Sequence, residues 1–468
     1  MMETHRHRNG GDKMKVFLLT FFSYVMLHVS RKSFSAVKGE MSKELFMESA
    51  LFPSAEQGKM YGLMDTLFMV FYASGLYVSG VIGDRFDLRK LLAGGMFVTA
   101  AIMFVFGMSA FVGIRSLGLY ASLWALNGLV QSIGWPVNVA VMGNWFNKQE
   151  RGAVMGVWSA NASFGNIVGT AVVALLYVAV PSKSVAWKSA VLVAGGLIAV
   201  QGWLVYAFLK PWPPKFGSDD VEEALLASRT SSDDVSTAAS SDSRASRKQG
   251  ISFWRAWRIP GVLLYALAYA CLKSLNYALF FWLPFYLTLT LGMDDAKADL
   301  YSMLYDAGQM TGGFLGGYVT DKAGIRSPIV AVMIFTATGL LHLFQGASHA
   351  QTSVLLVATG FLLGGPANLI STAISADLGT HDSLRQDTMA LSTVTGIIDG
   401  TGSVGAAIVQ FLVGYLSNCH PVDDHTECTW GPVFMLLQVS GALSCVCLGP
   451  LVANEVKMLW QRRRGGRS

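Results

Sequence analysis

Gly80-Val-Ile-Gly-Asp84-Arg85-Phe-Asp-Leu-Arg89-Lys90 returns, about half the chain later, as Gly317-Tyr-Val-Thr-Asp321-Lys322-Ala-Gly-Ile-Arg326. Both copies read G-x-x-x-D-[R/K] followed by a further basic residue. Each part has a physical use. The glycine lets two helix ends approach, the carboxylate caps a neighbouring helix start, and the basic residues hold one side of a membrane. Two copies so spaced imply a duplicated chain of two related halves.

The sequence around the motif says which solvent those halves occupy. Of 468 residues, 52% are hydrophobic and only 14% are charged, against about 25% charged in soluble proteins. Leu91–Val112, Ala186–Leu209, Ile329–Phe344 and Phe434–Val452 are apolar stretches, several of them long enough for a hydrocarbon layer of ~30 Å. Lipid is therefore the solvent, and the 49 glycines suit close helix contacts within it. A net charge of +5 scattered over short loops lacks the basic, aromatic-studded patch of a nucleic-acid binder. No metal-ligand spacing, nucleophile constellation or nucleotide-type glycine loop is present, so neither an enzyme nor a cofactor is expected.

The pattern predicts an all-α membrane protein of twelve transmembrane helices in two six-helix pseudo-symmetric halves. The spans fall near 14–36, 60–82, 91–112, 117–143, 151–181 and 186–209, then 259–290, 298–320, 327–346, 351–376, 388–416 and 431–452. The expected organisation is a cytosolic N-terminus (1–13), an N-terminal half (14–209), a cytosolic linker (210–258), a C-terminal half (259–452) and a basic tail (453–468). The linker's 217–249 stretch is rich in Ser, Asp, Ala and Arg and cannot bury enough surface to fold. Basic residues after spans two, four and eight and at both termini fall on one side, which the positive-inside rule makes cytosolic. Cys419 and Cys428 share a polar loop on the other face, where a disulfide and two free thiols are both open.

A charge at mid-bilayer costs roughly 2.5–3.5 kcal/mol on insertion scales, so those retained are candidates for function. Tyr24, His28 and Arg31 share one face of the first span, and Lys32 follows. The planar guanidinium fork matches phosphate oxygens. Lys273 lies deep in the seventh span, the counterpart of the first, with Asn276, Tyr277 and Phe280 on its face. A cation from each half would suit a phosphate dianion at the shared interface. Asp65 and Asp399 are carboxylates expected to pair with basic residues. Gln131, Trp135 and Asn138, and Trp158, Asn161 and Gly165, form two further polar faces.

Ser30-Arg31-Lys32-Ser-Phe-Ser, Asn127-Gly-Leu-Val-Gln131-Ser-Ile-Gly134-Trp135-Pro136 and Asn144-Trp145-Phe146-x4-Arg151-Gly152 resemble the organophosphate:phosphate antiporters of the major facilitator superfamily. Arg258-Ile-Pro-Gly-Val, Ser375-Ala-Asp377-Leu-Gly-Thr-His381 and Ala390-Leu-Ser-Thr-Val-Thr395-Gly-Ile-Ile-Asp399-Gly-Thr-Gly resemble solute carrier family 37. The repeated motif resembles the superfamily's signature between helices two and three, with Asp87 where a glycine is usual. The resemblance implies a major facilitator fold that exchanges glucose 6-phosphate or glycerol 3-phosphate for inorganic phosphate, commonly in the endoplasmic reticulum. It places Arg31 on the family's phosphate arginine and Tyr24 and Tyr72 on its tyrosines. His28 stands where bacterial members have tyrosine, Leu76 replaces a bacterial lysine, and Lys273 sits about one turn from the second arginine. The expected partners are thus a phosphorylated small molecule, inorganic phosphate and the bilayer. A proton-driven carrier of another organic anion or sugar, working through Asp65 or Asp399, is the rival reading.

Overall fold

A computed structural model describes residues 2–45, 57–83, 86–146, 154–213, 249–344, 346–379, 388–417, 419–422 and 425–465. The first six spans are α1 (Met2–Leu45), α2 (Gln57–Gly83), α3 (Leu88–Phe111), α4 (117–145), α5 (Val154–Ala179) and α6 (Lys183–Phe208). The second six are α7 (Val262–Leu291), α8 (Asp295–Ala323), α9 (Ser327–Phe344), α10 (His349–Gly379), α11 (Leu391–Leu416) and α12 (Gly431–Gly465). Among the described residues, ten helices are long and apolar enough to cross a membrane. The other two spans have visible reasons for falling short. α4 is interrupted at Ser132-Ile133, and the interior of α8 is too polar, with Asp306, Gln309 and Thr311 among its glycines. The architecture is the expected all-α one.

Boundaries shift where local chemistry intervenes. The stretch expected as a basic tail continues α12 through Gly465, since Glu455 to Arg464 are good helix formers with no breaker among them. α11 begins at Leu391, because Thr388–Met389 (β2) pairs in parallel with Gln249–Gly250 (β1). The expected linker stretch lies outside the described residues except for Gln249, as do Asp84 and Arg85 of the first motif copy. Cys419–Val422 (β3) pairs antiparallel with His425–Cys428 (β4), and the register sets Cys419 opposite Cys428. Their side chains are outside the described residues.

The two motif copies end their helices differently. After α2, Asp87 Oδ1 accepts from the backbone N–H of Arg89 at 2.9 Å and of Lys90 at 3.3 Å, and so caps α3. After α8, the cap on α9 comes from outside the motif. Glu455 of α12 accepts from the N–H groups of Arg326 (2.8 Å) and Ser327 (3.1 Å). Asp321 instead lies 3.6 Å from Arg326, which also pairs with Asp377 at 3.0 Å.

α2 packs along α11, and α5 along α8, so the halves meet on two sides. At Gly80 a Cβ would stand 3.0 Å from Ser392 O and 3.3 Å from Gly396 Cα, which is how closely α2 and α11 run. At the far ends of α1 and α7, the Lys32 ammonium donates to Phe280 O (3.4 Å) and the Ser35 hydroxyl to Phe281 O (3.5 Å). These contacts join the two sets of helices on either side of the centre.

Candidate substrate-binding site

Arg31 is fully buried on α1. Its Nε donates to Gln131 Oε1 at 2.6 Å, and Gln131 is held in turn by Ser30 (2.9 Å) and Asn127 (3.0 Å). Gln131 is the last residue before α4 breaks. Three rings surround Arg31 Cζ, with centroids at 4.5 Å (Tyr72), 5.6 Å (Phe68) and 5.9 Å (Tyr24). Among the described residues no carboxylate pairs with it; the Tyr72 hydroxyl stands against the guanidinium, and Nη1 and Nη2 make no well-formed hydrogen bond. Aromatic faces offset part of the desolvation, but the outer edge of the fork remains unmatched.

Lys273 is as deeply buried, at 2% exposure, and differently satisfied. Its Nζ donates to Asp399 Oδ1 at 2.6 Å and to Ser403 Oγ at 2.8 Å, both on α11. Asp399 thus pairs, as expected. Tyr72 supplies the link between halves: Lys273 Nζ lies 5.3 Å from the same ring centroid that faces Arg31. α11 comes this close because Gly402 carries no side chain. A Cβ there would stand 2.6 Å from Tyr269 Cδ1 and 2.9 Å from Lys273 Cδ.

Beside this pair lies a narrow cavity of about 60 Å³. Of the candidate binding residues, Tyr24, His28, Lys273, Asn276 and Asp399 are in its wall. Arg31, Tyr72, Lys32 and Asn161 are not. Arg31 and Tyr72 sit one layer back, touching the wall through Tyr24 and Lys273. Lys32 points instead to the Phe280 carbonyl. On α5 the wall residues are Ala162 and Asn166, one helix face round from Asn161, which is buried with both side-chain polar atoms unpartnered among the described residues. Of the other predicted faces, Trp135 reaches the cavity, while Asn138 accepts from Ser23 at 3.0 Å and ties α4 to α1.

Several lining groups were absent from the sequence reading. Asn166, Gln309, Asn368 and Ser371 give the cavity an amide-rich side. Gln309 and Tyr305 both donate to Asn276 Oδ1 at 2.6 Å. Asp306, buried on α8, is a further mid-span carboxylate, and its charge within a helical run was the signal available. Asp65, the other expected pair, bonds to Lys38 at 2.5 Å.

Comparisons with known proteins agree with this architecture. The Major Facilitator Superfamily model matches residues 20–409. The solved proton:xylose symporter XylE shares the fold, with a TM-score of 0.67 at 13% identity over 95% of this chain and 96% of that one. "Sugar phosphate exchanger 3" of Bos taurus is 41% identical, covering 98% of this chain and 96% of its own. "Putative glycerol-3-phosphate transporter 2" of Arabidopsis thaliana is 35% identical, covering 95% and 87%. The fold is thus that of a membrane transporter of the major facilitator type. The chain belongs to the major facilitator superfamily and, within it, to the sugar-phosphate exchangers of solute carrier family 37.

Proposed function

We propose that this protein exchanges a phosphorylated sugar or polyol, of the glucose 6-phosphate or glycerol 3-phosphate kind, for inorganic phosphate by alternating access. The names of its relatives support the substrate class. The observation that carries the counter-substrate is the buried Arg31 whose two terminal nitrogens make no well-formed hydrogen bond. An uncompensated buried charge costs several kcal/mol, so closing the halves around an empty site is disfavoured. Once the Tyr24 ring between fork and cavity turns aside, two phosphate oxygens would satisfy the fork, and both inorganic phosphate and a phosphate ester carry them. Exchange therefore follows from the site's electrostatics.

Lys273 contributes differently, because Asp399 already neutralises it. Incoming phosphate competes with this carboxylate for the ammonium, and Asp399 recovers Lys273 when phosphate leaves. Tyr24, Tyr72 and the amide of Asn276 complete the proposed binding set, with Lys32 and His28 on the same stretch of α1. The two-half organisation, cytosolic termini and an endoplasmic reticulum membrane belong to the same reading.

The test is counterflow into proteoliposomes. Labelled phosphate or glucose 6-phosphate should enter only when phosphate or a phosphate ester is inside. Uptake into empty vesicles driven by a pH gradient alone would overturn exchange in favour of proton coupling.

A further inference from the structure

His28 and Asp306 come from different halves, and one side chain joins them. His28 Nδ1 lies 2.9 Å from Asn166 Oδ1, and Asn166 Nδ2 donates to Asp306 Oδ1 at 2.7 Å. All three are buried, His28 at 5%, Asn166 at 3% and Asp306 at 2% exposure. The amide's NH₂ is turned toward the carboxylate, so its oxygen faces the imidazole. An amide oxygen only accepts, and His28 therefore carries a proton on Nδ1. The other ring nitrogen, Nε2, is buried and without a partner among the described residues. His28 and Asn166 are in the cavity wall, while Asp306 is behind it.

α5 reaches α1 at this point through Gly165. A Cβ there would stand 2.6 Å from Val25 O and 2.7 Å from His28 Cβ. Asp306 forms no ion pair among the described residues; Lys32 acts on it only through space, and Asn166 is the group bonded to its Oδ1.

We infer that Asp306, acting through Asn166, is a positioning residue that fixes His28 as an acceptor for a hydroxyl of the organic part of the substrate. With Nδ1 protonated, neutral His28 offers a lone pair at Nε2. Inorganic phosphate carries hydroxyl only on the phosphorus itself, whereas a sugar or polyol also brings hydroxyls that extend away from the phosphate. The chain His28–Asn166–Asp306 crosses from α1 and α5 to α8, so this recognition is complete only when the halves are together. Discrimination of the ester from inorganic phosphate is thereby assigned to a different part of the cavity from the cations. The inference rests on the exchange reading above.

Its test compares two exchanges in the same proteoliposomes, phosphate against phosphate and glucose 6-phosphate against phosphate. Asp306→Ala should raise the KM for glucose 6-phosphate by roughly three- to tenfold, the worth of one neutral hydrogen bond. The phosphate KM should stay within about twofold. Asp306→Asn keeps an acceptor oxygen and should restore the ester KM. Equal shifts in both KM values, or none in either, overturn the inference while leaving exchange standing. Wild type with no phosphate self-exchange takes down both. Should the alanine variant not reach the vesicles, ¹⁵N-histidine NMR of the wild-type protein answers the same question. The His28 resonance, assigned by its loss in His28→Gln, should report an Nδ1–H tautomer whose Nε2 signal moves with glucose 6-phosphate and not with phosphate. An Nε2–H tautomer refutes it.

Discussion

Arg31 and Lys273 are counterpart cations from counterpart helices, equally buried and facing the same Tyr72 ring, yet the protein treats them in opposite ways. Lys273 has a carboxylate at 2.6 Å and a hydroxyl at 2.8 Å. Arg31 has one amide oxygen and three aromatic faces, and no carboxylate among the described residues. The difference suits their chemistry. An ammonium is a compact, strongly hydrated point charge that a single carboxylate can hold, whereas a guanidinium tolerates ring faces and keeps its fork for a bidentate partner. One half of the site thus carries its own stand-in anion and the other waits for an anion from solution.

The sharpest way to break this comparison is to remove the waiting cation. Arg31→Ala should lower phosphate exchange about 100-fold or more, as expected for loss of a buried charge contact. Arg31→Lys should not restore it, because a point charge cannot reproduce the fork. Retained exchange by alanine-substituted protein in vesicles would remove Arg31 from the mechanism. Asp399→Asn should act less strongly and in two directions. Without a competing carboxylate, phosphate should bind about tenfold more tightly, and turnover should fall because Lys273 has no partner to return to. A raised KM would show that Asp399 orients Lys273 rather than competing for it.

Gly402→Ala tests whether the pairing depends on close approach of α11. The added methyl meets Tyr269 and Lys273, and overpacking of this kind costs about 1–3 kcal/mol. A fall in thermal stability with a raised phosphate KM is expected, and an unchanged KM would mean that Lys273 is not part of the site. The smallest effect should come from a third kind of pair, at the rim. Past the apolar part of α1, burial pushes Glu44 up, but hydrogen bonds from Lys188, Ser184 and Trp187 hold its carboxyl below the usual value. A depressed carboxylate stabilises above its unfolded pKa and loses that contribution as pH falls through the folded one. Glu44→Gln should therefore lower Tm slightly at neutral pH, with the gap to wild type closing below about pH 4. A gap that persists in acid would assign the effect to packing.

Much of this was legible in the residue order. Lipid-length apolar runs and the repeated motif gave the fold, because a membrane makes both span length and charge placement obligatory. Arg31, Lys273 and Asp399 stood out for the same reason. What did not show was depth and direction. The i, i+4, i+7 rule placed Asn161 with Gly165, and the real lining face is Ala162 and Asn166, about 100° round the helix. Periodicity defines which residues share a face, not which neighbour that face meets. Asp306 was passed over because α8 reads as a charged helix, among whose carboxylates only the fold distinguishes the one bound by Asn166. Arg31's place behind Tyr24 was likewise unreadable, since it depends on rings from α2.

α10 holds a geometric condition of its own. Residues Ile370–Ile374 form a π turn, with the Ser375 hydroxyl bonded to the Ile370 carbonyl five residues back at 2.7 Å. One additional residue in a turn rotates everything beyond it by about 100° relative to an unbroken α-helix. Ser371 can therefore face the cavity while Asp377, six positions later, faces Arg326 at the membrane edge. A straightened α10 that kept the serine inward would swing the aspartate away, so the bulge is what keeps the cavity wall and the edge ion pair in phase.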